Sequence, residues 1–168
     1  SRLHVGGFLG KENEAYFRKT TKRLAARGGT YQYWGSPASL AEKVDFYKSL
    51  SVLSVPTDYH EPKGLFVLEA MANGVPVVQP AHGAFPELIE KTEGGLLVTP
   101  GDPRELADAW ERLYLDKEYR LKLARQGYER VRQFYSAELM ATESLQFFQK
   151  RVDASGFVKN ERQLTPDP

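Results

Sequence analysis

His60-Glu61-Pro62-Lys63-Gly64-Leu65-Phe66-Val67-Leu68-Glu69-Ala70-Met71-Ala72-Asn73-Gly74-Val75-Pro76-Val77-Val78 is the stretch that decides the fold. Leu65, Leu68 and Ala72 fall at helical spacing, Gly74 stops the helix and Pro76 lies just beyond it. The spacing predicts a compact helix over 64–73. The unbroken apolar run over 75–78 reads as an internal strand, buried on both faces. Upstream, Val52-Leu53-Ser54-Val55 reads as another short strand, broken at Pro56. A strand, a loop, a helix and a second strand make a crossover unit, because parallel neighbours need a long right-handed connection.

The same alternation extends in both directions. Residues 3–9 read as a strand ending in Gly-rich turn chemistry at Gly10. Ala15, Phe17, Leu24 and Ala25 then give a helix closed by Gly28-Gly29. The aromatic stretch 30–34 is a strand halted by Gly35-Ser36-Pro37. Ser39 and Glu42 form a capping box, with Leu40, Val44 and Tyr47 as the buried stripe behind it. Downstream, a brief helix over 86–90 leads through Gly94-Gly95 to a strand over 96–98. Asp102-Pro103-Arg104-Glu105 supplies cap, first-turn proline and acidic third position for the next helix. Leu106, Trp110 and Leu113 form its core face; Leu121, Ala124, Tyr128 and Val131 repeat the stripe, and Met140, Phe147 and Phe148 continue it. Five strands and about seven helices give an α/β fold: a Rossmann-like, mostly parallel sheet with helices on both faces. One domain is expected over 1–150, followed by a tail over 151–168 that frays at 164–168.

Composition removes several functions. Lys plus Arg number 23 against 22 Asp plus Glu, a formal net charge of +1, which argues against a nucleic-acid partner. Cysteine is absent, so disulfides, thiolate metal sites and Cys nucleophiles are excluded. No apolar run is long enough for a transmembrane segment, no signal segment opens the chain, and a cytoplasmic location, at most peripheral to a membrane, is expected. The only methionines are Met71 and Met140; without an initiator Met the chain is expected to be a piece of something longer. No G-x-S-x-G, H-E-x-x-H, D-x-D or Walker pattern occurs. Gly6-Gly7-Phe8-Leu9-Gly10 approaches a dinucleotide fingerprint, but Val5 stands where its first Gly belongs, and a tight turn explains those glycines equally well. His4 and His82 read as satisfied polar side chains of a sheet face and a turn.

Ligands of open α/β sheets settle at the carboxyl ends of strands. The start of the 64–73 helix offers unpaired backbone N–H groups and the positive end of a dipole, suited to phosphate. Gly64 is expected to clear room for the ligand. Glu61 and Glu69 are acceptors for paired sugar hydroxyls, although acids at a helix start also stabilise it with no ligand at all.

Glu61 and Glu69 are spaced as E-x7-E, and the run from Glu61 to Val78 resembles the signature of retaining glycosyltransferases of group 1 (family 4). Tyr33-Trp34-Gly35-Ser36, Leu53 to Pro56, His82-Gly83-Ala84-Phe85-Pro86-Glu87-Leu88-Ile89 and Gly94-Gly95-Leu96-Leu97-Val98 extend the resemblance to about Lys150. It implies GT-B architecture, with this chain as the carboxyl-terminal, donor-binding domain. By resemblance Glu69 would hold ribose hydroxyls, and Glu61, the catalytic candidate, would sit beside the donor hexose as nucleophile or electrostatic stabiliser. The backbone of Gly64, Leu65 and Phe66 would contact sugar and diphosphate, and Gly35 and Ser36 would edge the base pocket. Lys63 departs from the family's usual aromatic or apolar residue, and is either a phosphate contact or a solvated side chain.

The implied activity is transfer of a hexosyl group from a nucleoside diphosphate sugar, with retained configuration and no metal or other cofactor. The family's first strand and its amino-terminal acceptor domain are expected to be missing. The chain alone would then be inactive and would self-associate through an open strand edge. A non-catalytic nucleotide-sugar module, a protein-interaction scaffold and a nucleotide-sugar isomerase are the alternatives.

Overall fold

The computed structural model describes residues 2–155. β1 (Arg2–Gly6) pairs in parallel with β2 (Thr30–Gly35), the crossover between them being a short 3-10 turn and α1 (Glu14–Ala25). β1 ends before residue 9, because Gly7 takes a φ of +136° and turns the chain. α2 (Leu40–Lys48) starts as expected at Ser39, whose hydroxyl accepts the Glu42 N–H at 3.2 Å. The Glu42 carboxylate reaches back to the N–H of Ala38, at 2.8 Å, one residue beyond the cap itself.

The second half carries the core. α3 (Leu65–Ala72) crosses to β3 (Val77–Pro80); α4 (Phe85–Thr92) leads to β4 (Gly95–Val98), which pairs with β3 in parallel. α5 (Pro103–Leu115), α6 (Lys117–Phe134) and α7 (Ala137–Ser155) follow. Asp102 caps α5 as expected, its carboxylate accepting from the N–H groups of Arg104 and Glu105. Every residue of β3 is buried, and successive side chains point to opposite faces. Val77 therefore joins Val67, Met71, Phe85 and Leu88 on one face, while Val78 meets Val98, Leu113 and Leu123 on the other. No side chain before Tyr47 is buried among the described residues.

Several expectations are corrected. The strand expected over 52–55 is a single bridge, Leu53 to Val77. Leu53 donates to the carbonyl of Pro76 and accepts from Val78, but the next N–H on that side, Val55, goes to the side chain of Gln79. The strand expected over 75–78 starts two residues later, after Pro76, which has no N–H for a ladder. The sheet is in two parallel halves, β2-β1 and Leu53-β3-β4, with no strand pairing between β1 and Leu53 among the described residues.

The buried face of α6 is Leu123, Gly127 and Val131, and Leu121 and Tyr128 are exposed. The phase is set by Gly127, whose Cα packs against Gly94 and the Met71 side chain so closely that a Cβ on Gly94 would lie 2.6 Å from it. Leu40, Trp110, Met140, Phe147 and Phe148 are exposed rather than core. The expected boundary at residue 150 falls inside α7. Of the expected tail, 156–168, with its frayed end at 164–168, lies outside the described residues.

Candidate functional site

The loop between Leu53 and α3 is fastened to the loop after β3. The Ala84 N–H donates to the Glu61 carbonyl at 2.8 Å, and the His82 ring bonds through Nε2 to the Thr57 carbonyl at 2.8 Å. His60 stacks on His82, centroids 4.7 Å apart and rings within 8° of parallel. Gly83 has a φ of +58°, and a Cβ there would stand 2.6 Å from the Glu61 carbonyl oxygen. A side chain at residue 83 would thus displace Glu61.

Glu61 turns toward the start of α3. Its Oε1 accepts from the N–H groups of Lys63 and Gly64, each at 3.0 Å. These bonds, with a smaller contribution from the Lys63 charge, hold its carboxyl below the usual carboxylate range. Part of the anion site expected at this helix start is therefore filled by the protein's own carboxylate. The N–H groups of Leu65 and Phe66 have no hydrogen-bond acceptor among the described residues, and Glu61 Oε2 has no donor there. Gly64 has a φ of +65°, and a Cβ on it would meet Leu88 Cδ1 at 2.6 Å. The missing side chain makes room for α4.

Glu61 carries a testable acid dependence. Its folded carboxyl titrates below the ordinary value near 4.5, so its stabilising effect is complete above that pH and disappears as the pH falls through the lower, folded value. Glu61→Gln is expected to be less stable than the wild type at neutral pH. The gap in urea midpoint should close in acid; a gap that stays constant with pH would contradict the capping role.

Glu69 lies on α3 one turn beyond Leu65, about 6 Å along the axis. Its Oε1 takes a hydrogen bond from Lys43 Nζ at 2.9 Å, and its Oε2 one from the Tyr47 hydroxyl at 2.8 Å. Burial, followed by the bond to Glu69 and its charge, raises the Tyr47 hydroxyl pKa, so it remains a donor. Lys43 and Tyr47 were not singled out for the site from the sequence. Their i, i+4 spacing places them on one face of α2, but nothing local points that face at residue 69.

Gly35 closes β2 with a φ of +67°, its carbonyl accepting from Gly7 at 2.8 Å, and Ser36 is exposed beside it. No hydrogen bond joins Gly35 or Ser36 to Glu61, Gly64 or Glu69 among the described residues. Lys63 is exposed, and only its backbone N–H bonds to Glu61. Among the described residues no group of three or more His, Asp or Glu could hold a metal ion, and no helix is long and apolar enough to cross a membrane.

The model of the family "Glycosyl transferases group 1" matches residues 2–130. The chain belongs to the group 1 glycosyltransferases. A D-inositol 3-phosphate glycosyltransferase from Corynebacterium jeikeium (strain K411) is 38% identical over 88 residues, which is 52% of this chain and 21% of that protein. The carboxyl-terminal domain of a group 1 glycosyltransferase, LpcC of Francisella tularensis, superposes with a TM-score of 0.69 at 22% identity, covering 81% of this chain and 86% of that one. Anabaena HepE, solved in complex with UDP and glucose, superposes with a TM-score of 0.75 at 20% identity over 88% of this chain and 40% of its own. The fold is accordingly that of the carboxyl-terminal domain of GT-B glycosyltransferases. This glycosyltransferase chain spans about a fifth to a quarter of the length of curated relatives it matches.

Proposed function

We propose that this chain binds a nucleoside diphosphate sugar and forms the donor side of a retaining hexosyl-transfer site. The observation that carries the reading is the head of α3. Free N–H groups of Leu65 and Phe66 stand at the positive end of a helix, with the Glu69 carboxylate one turn further along. The N–H groups bind the diphosphate, and Glu69 accepts from the ribose diol. Breaking the bond between sugar and diphosphate builds negative charge on the departing nucleotide, and fixed N–H dipoles stabilise that charge without having to reorganise. No step calls on a metal.

Glu61 is ionised at neutral pH and has Oε2 free, so it faces the hexose as an anion, suited to a positively charged sugar in the transition state. Lys63 reaches the phosphates, and Gly35 and Ser36 border the base. The acceptor is recognised by a region outside this chain, so the chain alone transfers no sugar. Among the described residues β1 pairs with β2 alone, and its other edge is a place for a second strand, from another copy or another segment. We place the protein in the cytoplasm, at most peripheral to a membrane.

Calorimetric titration of the full chain with UDP, GDP and UDP-glucose tests the reading. At least one of these should bind, and Glu69→Ala should weaken it about tenfold or more, the scale of losing hydrogen bonds to a charged acceptor. Equal affinity in the variant would overturn the ribose assignment.

A further inference from the structure

Glu69 is held from both sides by one face of α2. Lys43 and Tyr47, one turn apart on that helix, each take a different oxygen of its carboxylate. An ionised carboxylate has about four acceptor positions. One donor on each oxygen fixes the plane of the group and leaves each oxygen a further lone pair. The Glu69 side chain is 39% exposed, so a ligand can reach it. Two neighbouring hydroxyls of a ribose can then each bond to one oxygen, provided the carboxylate does not rotate.

The two donors differ in character. Tyr47 is a buried ring of the core, 6% exposed, and the bond to Glu69 is its hydroxyl's one hydrogen bond among the described residues. It is anchored by packing next to Phe46, and so fixes Oε2 against a rigid wall. Lys43 is 42% exposed and supplies charge to Oε1 from a flexible stem. A partly exposed ion pair of this kind adds little to stability. Glu69 is fixed along its backbone as well, its carbonyl accepting from the Asn73 amide at 2.8 Å.

We infer that Lys43 and Tyr47 are positioning residues that lock the Glu69 carboxylate for bidentate recognition of a cis-diol, and so set the preference for ribo- over 2′-deoxyribonucleotides. The inference rests on the donor-binding reading and names the residues that give that site its sugar specificity. A merely structural pair would influence folding, or affinity for both nucleotides alike. A positioning pair changes the ratio between them.

The test is the affinity of the full chain for UDP against 2′-deoxy-UDP, measured for the wild type, Tyr47→Phe, Lys43→Met, Lys43→Arg and Glu69→Ala. The wild type should prefer UDP. Tyr47→Phe keeps the ring and removes only the hydroxyl; it should lower that preference about fivefold, mainly by weakening UDP, as expected for groups coupled in one network. Lys43→Met, at a half-exposed position that tolerates change, should do the same by a smaller factor, and Lys43→Arg should restore it. If the preference survives in both Tyr47→Phe and Lys43→Met but is lost in Glu69→Ala, the positioning role is overturned while the donor site stands. If the wild type shows no preference, or Glu69→Ala keeps it, the donor reading itself fails and the inference falls with it.

Discussion

Replacing Phe85 with alanine is expected to lower the free energy of unfolding by about 3–5 kcal/mol, the usual cost of deleting a fully buried aromatic ring. Phe85 is 0% exposed at the start of α4. It meets Phe66 edge to face at 5.8 Å, and the His82 ring stands 5.9 Å away. A Cβ built on Gly64 would lie 3.6 Å from the Phe85 ring, so this side chain supports the turn that opens α3. The void left by alanine would border the left-handed Gly64, which has no side chain with which to fill it. Urea unfolding of the variant should therefore show a large loss of midpoint with little change in slope. Phe85→Leu should recover more than half of the loss. A cost below about 1 kcal/mol for the alanine variant would mean that α4 does not support this turn.

Gly127→Val is expected to cost about 3 kcal/mol, at the upper end for added volume in a packed interior. A Cβ on Gly127 would meet the Gly94 Cα at 3.0 Å and Met71 Cγ at 3.1 Å. Gly94 offers backbone there, and backbone gives way less readily than the end of a side chain. Met71 is fully buried on α3, so the strain would pass into the helix that carries Glu69. Gly127→Ala is the informative control. Its single methyl is tight by a few tenths of an ångström, but alanine gains about 0.8–1 kcal/mol of helix propensity over glycine. The two effects should nearly cancel, leaving the alanine variant close to wild type and the valine variant clearly destabilised. Equal unfolding midpoints for Val and Ala would refute the close approach of α6 to α3.

Local signals in the sequence account for most of the elements. Ser39 and Asp102 are side chains that can satisfy the free N–H groups of a helix start, and both do so. Gly74 and Pro76 punctuate the chain between α3 and β3, and the apolar run through Val78 announces a strand buried on both faces. What was not legible depends on partners far along the chain. Val52 to Val55 has strand composition, but only Leu53 finds a ladder, because Gln79 takes the Val55 N–H. Leu121 and Tyr128 look like a buried stripe until Gly127 is known to touch Gly94. The apolar residues of α7 fit a helical stripe equally well whether or not another surface covers them.

The candidate site divides in the same way. Glu69 was evident from the E-x7-E spacing, whereas its two donors on α2 lie 26 and 22 residues away. Glu61 is evident too, and as an acid at a helix start it is expected to stabilise that start, but the N–H groups it takes, those of Lys63 and Gly64, show only in the fold. An acid followed two and three residues later by free backbone N–H groups at a helix start is a capping arrangement in its own right.

The absence of any buried side chain before Tyr47 among the described residues gives the molecule two tiers of cooperativity. The unit of β1, α1 and β2 is joined to the rest through His4 on Ser49 and through Trp34 and Gly6 against the Phe46 ring. So little hidden apolar surface means that this unit can open at a free energy well below that of global unfolding. Its amide hydrogens would trade with solvent long before those of β3. Melting thus begins at the amino-terminal end, while the helix bearing Glu69 stays folded.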